Sequence, residues 1–522
     1  MESRFIVAMV ASLLVIIGFY YFFPQQQPKK AVEEKTVVAE KKVEMLKESQ
    51  PVKKAKPIAA SVEREIVVES DLYKAVLTGK GGAIKSWELK KYAANGKGFV
   101  QLIPAKEEDV VYPLSLELEG ADLNNAIFTT DGKGFRLDQN KNKETITLNY
   151  IGQDGLKIEK RLTFYNDNYR IDMDLHAEGV KKTLHLSLGT DFGIDNKVGG
   201  SKASHVGPVV SVDSKLKLDV PKEEGEALPY QGKIAWAASE DKYFIAAIIP
   251  KDGIEDVVIK KGRGKMFNTL IKMPQAEIIK KSFLLYAGPK EYNRLEALRL
   301  GIEDTIGLGW FWFIGLPLFQ VMKWLYKIVG NYGVVIILIT VIVKIIFAPL
   351  THKSYKSMKA MQKLQPKIAT LQEKFKNDKQ KLNIEMMNLY KTHKVNPVSG
   401  CLPMVIQIPV FIGLYNVLSN AIEFRHAPFY WWIKDLSAMD PYYILPITMG
   451  ITMLIQQWMT PSTATDPLQA KMMYAMPVIF TYMFLSFPSG LVLYWLVNNV
   501  LSIGQQAVTN RYLTPSAQTE AA

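Results

Sequence analysis

The hydrophobic and polar positions divide the chain into two unlike parts. Residues 24–300 alternate and turn as a water-soluble chain does, whereas 306–510 hold several runs of 16–20 residues nearly free of charge, the length a spanning helix needs. Spanning helices are predicted at 332–350, 402–421, 442–459, 472–487 and 490–507. Another apolar run, 5–23, follows Arg4 and closes on Tyr20, Tyr21, Phe22, Phe23 and Pro24 without a small-x-small cleavage pattern. Residues 1–24 are therefore expected to stay as an N-terminal transmembrane anchor. Residues 25–61, rich in Lys, Glu, Gln, Pro and Val without glycine turns, predict a disordered tether.

Period-two alternation recurs in the soluble part, at Thr145 Ile146 Thr147 Leu148 Asn149 Tyr150, at Leu156 Lys157 Ile158 Glu159, at Arg170 Ile171 Asp172 Met173 Asp174 Leu175 and at Thr183 Leu184 His185 Leu186 Ser187 Leu188. Turn signals at Gly79 to Gly82, at Asp131 Gly132 and at Asn166 to Asn168 separate these runs. Residues 62–300 thus read as a large all-β sandwich. Its histidines, His176, His185 and His205, lack ligand spacing and read as strand-surface residues.

Composition and charge refine this picture. The chain has 522 residues, 48% of them hydrophobic, and a formal net charge of +13. Eleven lysines against three acids crowd into 351–397, and a short loop this basic belongs on the cytoplasmic side of a membrane. With the anchor's N terminus inside, the β domain then lies outside and six crossings leave both termini inside. That parity requires the 301–329 segment, with Trp310, Phe311, Trp312, Phe313 and Pro317, to lie in the outer interface as an amphipathic helix; a seventh crossing is the other reading. Within the basic loop, Met358, Met361, Leu364, Ile368, Leu371 and Phe375 form one helical stripe, Asn377 and Asp378 a turn, and Leu382 to Tyr390 a second helix. The prediction is a helical hairpin whose exposed lysines, Lys353, Lys356, Lys359, Lys363 and Lys367 among them, face anionic lipid or ribosomal RNA phosphates, or simply mark topology. Residues 511–522 form a cytoplasmic tail.

One charge lies inside a spanning run. Lys344 costs roughly 2.5 to 3.5 kcal/mol by insertion scales, and no Asp or Glu lies in any predicted span to pair with it. Water, amides or lipid phosphate must solvate it. Thr340 lies one turn earlier on the same face, and Gln407 and Asn498 supply amides from other spans. A wet inner-leaflet cavity lined by Lys344, Gln407 and Asn498 is one reading; snorkelling is the other, since Lys344 stands six residues, roughly 9 Å of helix, from Leu350. HExxH, Walker and Gly-x-Ser-x-Gly motifs are absent, and Cys401 is single, so neither an enzyme nor a metal or cofactor site is expected. The competing class is a small-solute or ion transporter, which would favour intramembrane carboxylates.

Lys363 Leu364 Gln365 Pro366 Lys367, Tyr390 to Pro397 running into Gly400 Cys401 Leu402 Pro403, Asp435 to Pro446, Met476 to Thr481 and Phe487 to Trp495 together resemble the YidC/Oxa/Alb insertase family in its Gram-negative form. The resemblance is dense over about 330–510. It implies a polytopic α-helical inner-membrane protein, five helices forming a core at 330–510 around a hydrophilic groove open to the cytoplasm, with a periplasmic β-supersandwich domain. Nascent membrane proteins would be its clients, the Sec translocon with its accessory subunits and the ribosome its partners, and no cofactor would be needed. The family usually carries arginine where this chain has Lys344; Thr340 and Gln407 match groove-lining positions, and Trp495 falls where an aromatic meets the sliding client helix.

Overall fold

The computed structural model describes residues 64–103, 110–130, 132–152, 155–194, 205–264, 266–393, 395, 402–459 and 467–513. The expected anchor, the tether, Cys401 and the end of the tail lie outside them. The chain folds as two compact units, a β domain and a helical part.

In the β domain, strands β1 (Glu65–Glu69), β2 (Tyr73–Thr78), β3 (Ala83–Ala93), β4 (Phe99–Gln101) and β6 (Phe135–Arg136) form a five-stranded sheet in the order β4-β3-β2-β1-β6. The larger sheet runs β5 (Leu116–Leu118), β10 (Leu184–Thr190), β16 (Phe267–Lys272), β15 (Ile254–Lys261), β13 (Ala227–Glu240), β14 (Phe244–Pro250), β17 (Ile278–Pro289), β9 (Arg170–Glu178), β8 (Lys157–Tyr165) and β7 (Lys143–Ile151). A side hairpin of β11 (Gly207–Val212) and β12 (Lys215–Lys217) joins it at β13. The alternating runs read from the sequence fall in β7 to β10, and the Asn166 turn joins β8 to β9.

Alternation buries one face of each sheet, and these faces share a core. Tyr73 stacks on Trp87 at 4.3 Å between ring centroids, and the Trp87 indole donates to the Ala287 carbonyl of β17 at 3.0 Å. Inward positions of β8 are Ile158, Lys160, Leu162 and Phe164, all buried. Lys160 replaces an apolar residue there. Its ammonium donates to the carbonyls of Gly81 (2.8 Å), Gly82 (3.0 Å) and Leu114 (2.7 Å), with the Phe128 ring 4.5 Å from the nitrogen. Gly81 and Gly82 have φ of 70° and 55°, and a Cβ on Gly82 would meet the Phe128 ring at 2.8 Å. Only glycines let that turn aim two carbonyls at one ammonium.

The helical unit comprises α1 (Tyr292–Glu296), α2 (Trp312–Val329), α3 (Tyr332–Lys374), α4 (Lys379–Thr392), α5 (Leu402–Asn420), α6 (Ile444–Met459), α7 (Pro467–Phe484) and α8 (Ser489–Leu513). Among them α3 is the one both long and apolar enough to cross a membrane by length and composition; Val405–Asn420, Ile444–Met459 and Tyr474–Phe484 are shorter apolar stretches. Helix α3 does not stop at Leu350. It continues through Pro349 and Pro366, so the apolar run and the first hairpin arm are one helix. A proline costs a helix one internal hydrogen bond but supplies no turn, and just beyond Pro349 the Thr351 hydroxyl donates back to the Phe347 carbonyl at 2.9 Å, within the same helix.

Helix α2 crosses α5 closely because both carry glycine at the crossing: a Cβ on Gly315 would lie 2.9 Å from the Gly413 carbonyl oxygen. Asn416 and Asn420 of α5 donate to the Leu308 and Gly307 carbonyls, each at 2.9 Å, and so fix the chain entering α2. On its other side α2 exposes Trp312, Phe313, Trp324 and Ile328. Asp440 holds the start of α6, accepting from Trp432 Nε1 at 3.0 Å and from the Leu445 amide at 2.7 Å.

A candidate functional site between α3, α5 and α8

Three residues of α8 at four-residue spacing, Tyr494, Asn498 and Ser502, form one polar stripe, since that spacing repeats a helix face. Two neighbouring helices answer it. From α3, Lys344 Nζ donates to Ser502 Oγ at 2.7 Å; from α5, Gln407 Nε2 donates to the Tyr494 hydroxyl at 2.7 Å and to Asn498 Oδ1 at 3.3 Å. The Ser502 hydroxyl itself donates to the Asn498 backbone carbonyl at 2.7 Å. Lys344, Gln407 and Asn498 therefore meet in one hydrogen-bonded set, joined through Ser502 and Tyr494. Among the described residues no carboxylate lies within ion-pair distance of Lys344.

Other expected site residues sit elsewhere. Thr340 is buried, and its hydroxyl donates to the Ile336 carbonyl at 2.6 Å, spending its polarity within α3. Trp495 turns to an aromatic cluster, with Phe411 of α5 perpendicular at 4.8 Å and Phe484 and Phe480 of α7 at 5.3 and 6.2 Å. Two residues mattered more than the sequence indicated. Ser502 supplies the acceptor expected from water, amides or phosphate, and Tyr494 anchors Gln407. Their spacing from Asn498 was the available signal.

A second polar seam follows α8 along α6. Asn499 donates to Thr452 Oγ1 at 3.2 Å and Gln506 to the Met459 carbonyl at 2.9 Å. These amides tie the two helices to each other.

The hairpin arms pair by the predicted stripes. Met361, Leu364 and Ile368 of α3 bury against Tyr390 and Val395, with Met386 and Leu389 alongside. Lys353, Lys356, Lys363 and Lys367 are exposed and Lys359 is partly so. That leaves a basic outer surface, with Lys367 Nζ 3.3 Å from His393 Nε2.

Charged groups also gather between α2 and the single helical turn Ile422–Phe424 that follows α5. Lys323 donates to Asn293 Oδ1 at 2.7 Å and lies over the Phe319 ring at 4.6 Å; burial lowers its pKa, while nearby Glu423 opposes the shift. Burial pushes the Glu423 carboxyl up to about 7, with its own backbone amide and Lys323 pulling the other way.

Comparison with known proteins covers both units. A family model described as 60Kd inner membrane protein matches residues 324–517, and one described as YidC periplasmic domain matches 65–321. Membrane protein insertase YidC of Syntrophus aciditrophicus (strain SB) is 44% identical over 474 residues, covering 86% of this chain and 85% of that protein. Its namesake in Geobacter sp. (strain M21) is 44% identical over 468 residues, 86% of each chain. That of Pelobacter propionicus is 38% identical over 552 residues, 98% of this chain and 99% of the other. A solved structure described as an active YidC insertase with the first transmembrane domain resolved aligns over 87% of this chain and 94% of its own, at 21% identity and a TM-score of 0.37.

Proposed function

The chain belongs to the YidC family of membrane protein insertases, and on that premise we propose a route for its clients through the polar site of α3, α5 and α8. It is an inner-membrane insertase with a periplasmic β domain, acts on nascent membrane proteins, and is not an enzyme. In the proposed arrangement six helices cross the membrane, both termini are cytoplasmic, the β domain is a supersandwich, and α2 lies in the outer interface on its exposed aromatic face. Lys344, Gln407 and Asn498 border a hydrophilic groove open to the cytoplasm. The basic hairpin receives the client, with contacts to anionic lipid and the ribosome, and the Sec translocon is a second source of clients.

The physical task is to move a short hydrophilic tail across hydrocarbon, where every polar group that loses water is costly. A polar recess partway through the bilayer shortens that path. Lys344 attracts acidic groups of the tail, and the apolar client segment then partitions into lipid and leaves, with no nucleotide consumed. Lysine keeps the charge usual at this position but not arginine's planar fork, so attraction carries over and bidentate contact does not. Supporting the reading is the hydrogen-bonded set that brings Lys344, Gln407 and Asn498 from three helices together without an acidic partner among the described residues.

Photocrosslinkers placed at 344, 407 and 495 in the full chain should capture a stalled nascent membrane protein. In reconstituted vesicles, Lys344→Arg should retain insertion, and Lys344→Ala should lose most with acidic-tailed clients. Equal handling of acidic and neutral tails by Lys344→Ala would sink the charge-attraction step.

A further inference from the structure

A lysine on a lipid-flanked helix has somewhere else to go. Ile342, Ile345 and Ile346 around Lys344 are 37%, 67% and 63% exposed, so its flexible stem could swing outward and carry the ammonium to the headgroups. It instead points to α8, where Ser502, itself buried, accepts from it at 2.7 Å. The direction of that bond is fixed. Ser502's single proton is committed to the Asn498 carbonyl, so toward Lys344 the hydroxyl can only accept. Asn498 is held in turn by Gln407 from α5.

This acceptor is neutral. An aspartate at 502 would hold the ammonium more firmly but cancel its charge, and would compete with any arriving carboxylate. A serine fixes position and leaves the charge intact. An ammonium carries three N–H donors, and the bond to Ser502 uses one. We propose that Ser502 is a positioning residue that restrains Lys344 from snorkelling and holds its remaining donors ready for a client carboxylate, giving the site its preference for acidic hydrophilic segments. This assignment rests on the reading of the α3, α5 and α8 site given above.

The test uses the full-length protein in vesicles, with two clients that differ only in an acidic or a neutral translocated tail. Ser502→Ala should lower the ratio of acidic- to neutral-tailed insertion about tenfold, the scale of one hydrogen bond to a charged group. Ser502→Thr, which keeps the hydroxyl, should restore the ratio. Ser502→Asp should lower it at least as far as alanine does. In a Lys344→Ala background, Ser502→Ala should change the ratio no further, because Ser502 acts through Lys344.

Equal loss of both clients in Ser502→Ala would reduce the residue to packing and overturn the proposal, as would an unchanged ratio or additive effects in the double variant. If Lys344→Ala discriminates between the tails while Ser502→Ala does not, the proposal fails and the reading of the site stands. If Lys344→Ala fails to discriminate, both fall.

Discussion

Lys160→Met isolates the clasp that Lys160 forms inside the β domain. Methionine matches the buried stem but removes the donors to Gly81, Gly82 and Leu114, leaving three carbonyl acceptors without their ammonium. Each buried acceptor left unsatisfied costs about 1–3 kcal/mol, so three cost at least about 3 kcal/mol. Against this, the variant no longer buries a charge and gains about 1–2 kcal/mol from an apolar side chain in the core. A net local destabilisation of at least about 1 kcal/mol is expected, since those carbonyls lose their donor inside the core.

Native-state hydrogen exchange on the full-length protein reads this where it should appear. The Ile84 amide donates to the Pro113 carbonyl at 3.0 Å, joining the two segments that Lys160 clasps. At about 1.4 kcal/mol per decade, its exchange should accelerate at least about 5-fold. Burial by itself draws the Lys160 pKa down to about 7, and the three carbonyls act in the opposite sense by accepting from the charged form. A folded pKa below the unfolded value means stability present above about 10.5 and lost as pH falls through about 7. Exchange at Ile84 in the wild type that rises as pH falls through 7, after correction for intrinsic exchange, would show burial winning; unchanged exchange in Lys160→Met would refute the clasp.

Two further outcomes follow from named contacts. Glu423 has a folded pKa raised from 4.5 to about 7, so its contribution is fully present below pH 4.5 and lost as pH rises through 7; Glu423→Gln should therefore gain stability over the wild type at pH 8, by about 1–3 kcal/mol, and not at pH 4.5, as read by thermal unfolding in detergent. Leu364 is 5% exposed in the hairpin core, so Leu364→Ala should cost that hairpin about 2–4 kcal/mol and expose the 375–378 turn to limited proteolysis, whereas Lys363→Ala on the outer surface should leave proteolysis unchanged.

What the sequence revealed, and what it hid, follows from how burial repeats. The β7 to β10 alternation and the Met361, Leu364, Ile368 stripe were legible because a sheet face and a helix face each impose a period on apolar residues. Lys160 was not, since a lysine at an inward position looks like a break in the pattern until its three carbonyls are seen. Hydropathy also placed a boundary at Leu350 that the backbone ignores: the change from apolar to basic side chains marks a change of surroundings, and α3 runs through it as one helix. At the site, the expensive charge and the amides were readable one by one. Ser502 was unremarkable as a hydroxyl in an apolar run, because its value lies in facing Lys344 across two helices 158 residues apart in sequence.

Helix α8 explains why one span carries both the polar and the aromatic parts of the proposed route. Tyr494, Asn498 and Ser502 face α3 and α5, while Trp495 meets Phe411 of α5 and Phe480 and Phe484 of α7. Successive residues on a helix point about 100° apart, so the step from Tyr494 to Trp495 is a step from the hydrogen-bonding face to the aromatic one. In the proposed route a client beside α8 would have its hydrophilic tail at the first face and its apolar segment at the second. On that proposal, release to lipid would need no opening of the α6 seam, where Asn499 and Gln506 bond Thr452 and the Met459 carbonyl. That no carboxylate pairs with Lys344 among the described residues fits the same logic. A carboxylate beside Lys344 would make the polar face a finished ion pair, while a hydroxyl leaves the charge unneutralised, as the proposed meeting with each client in turn requires.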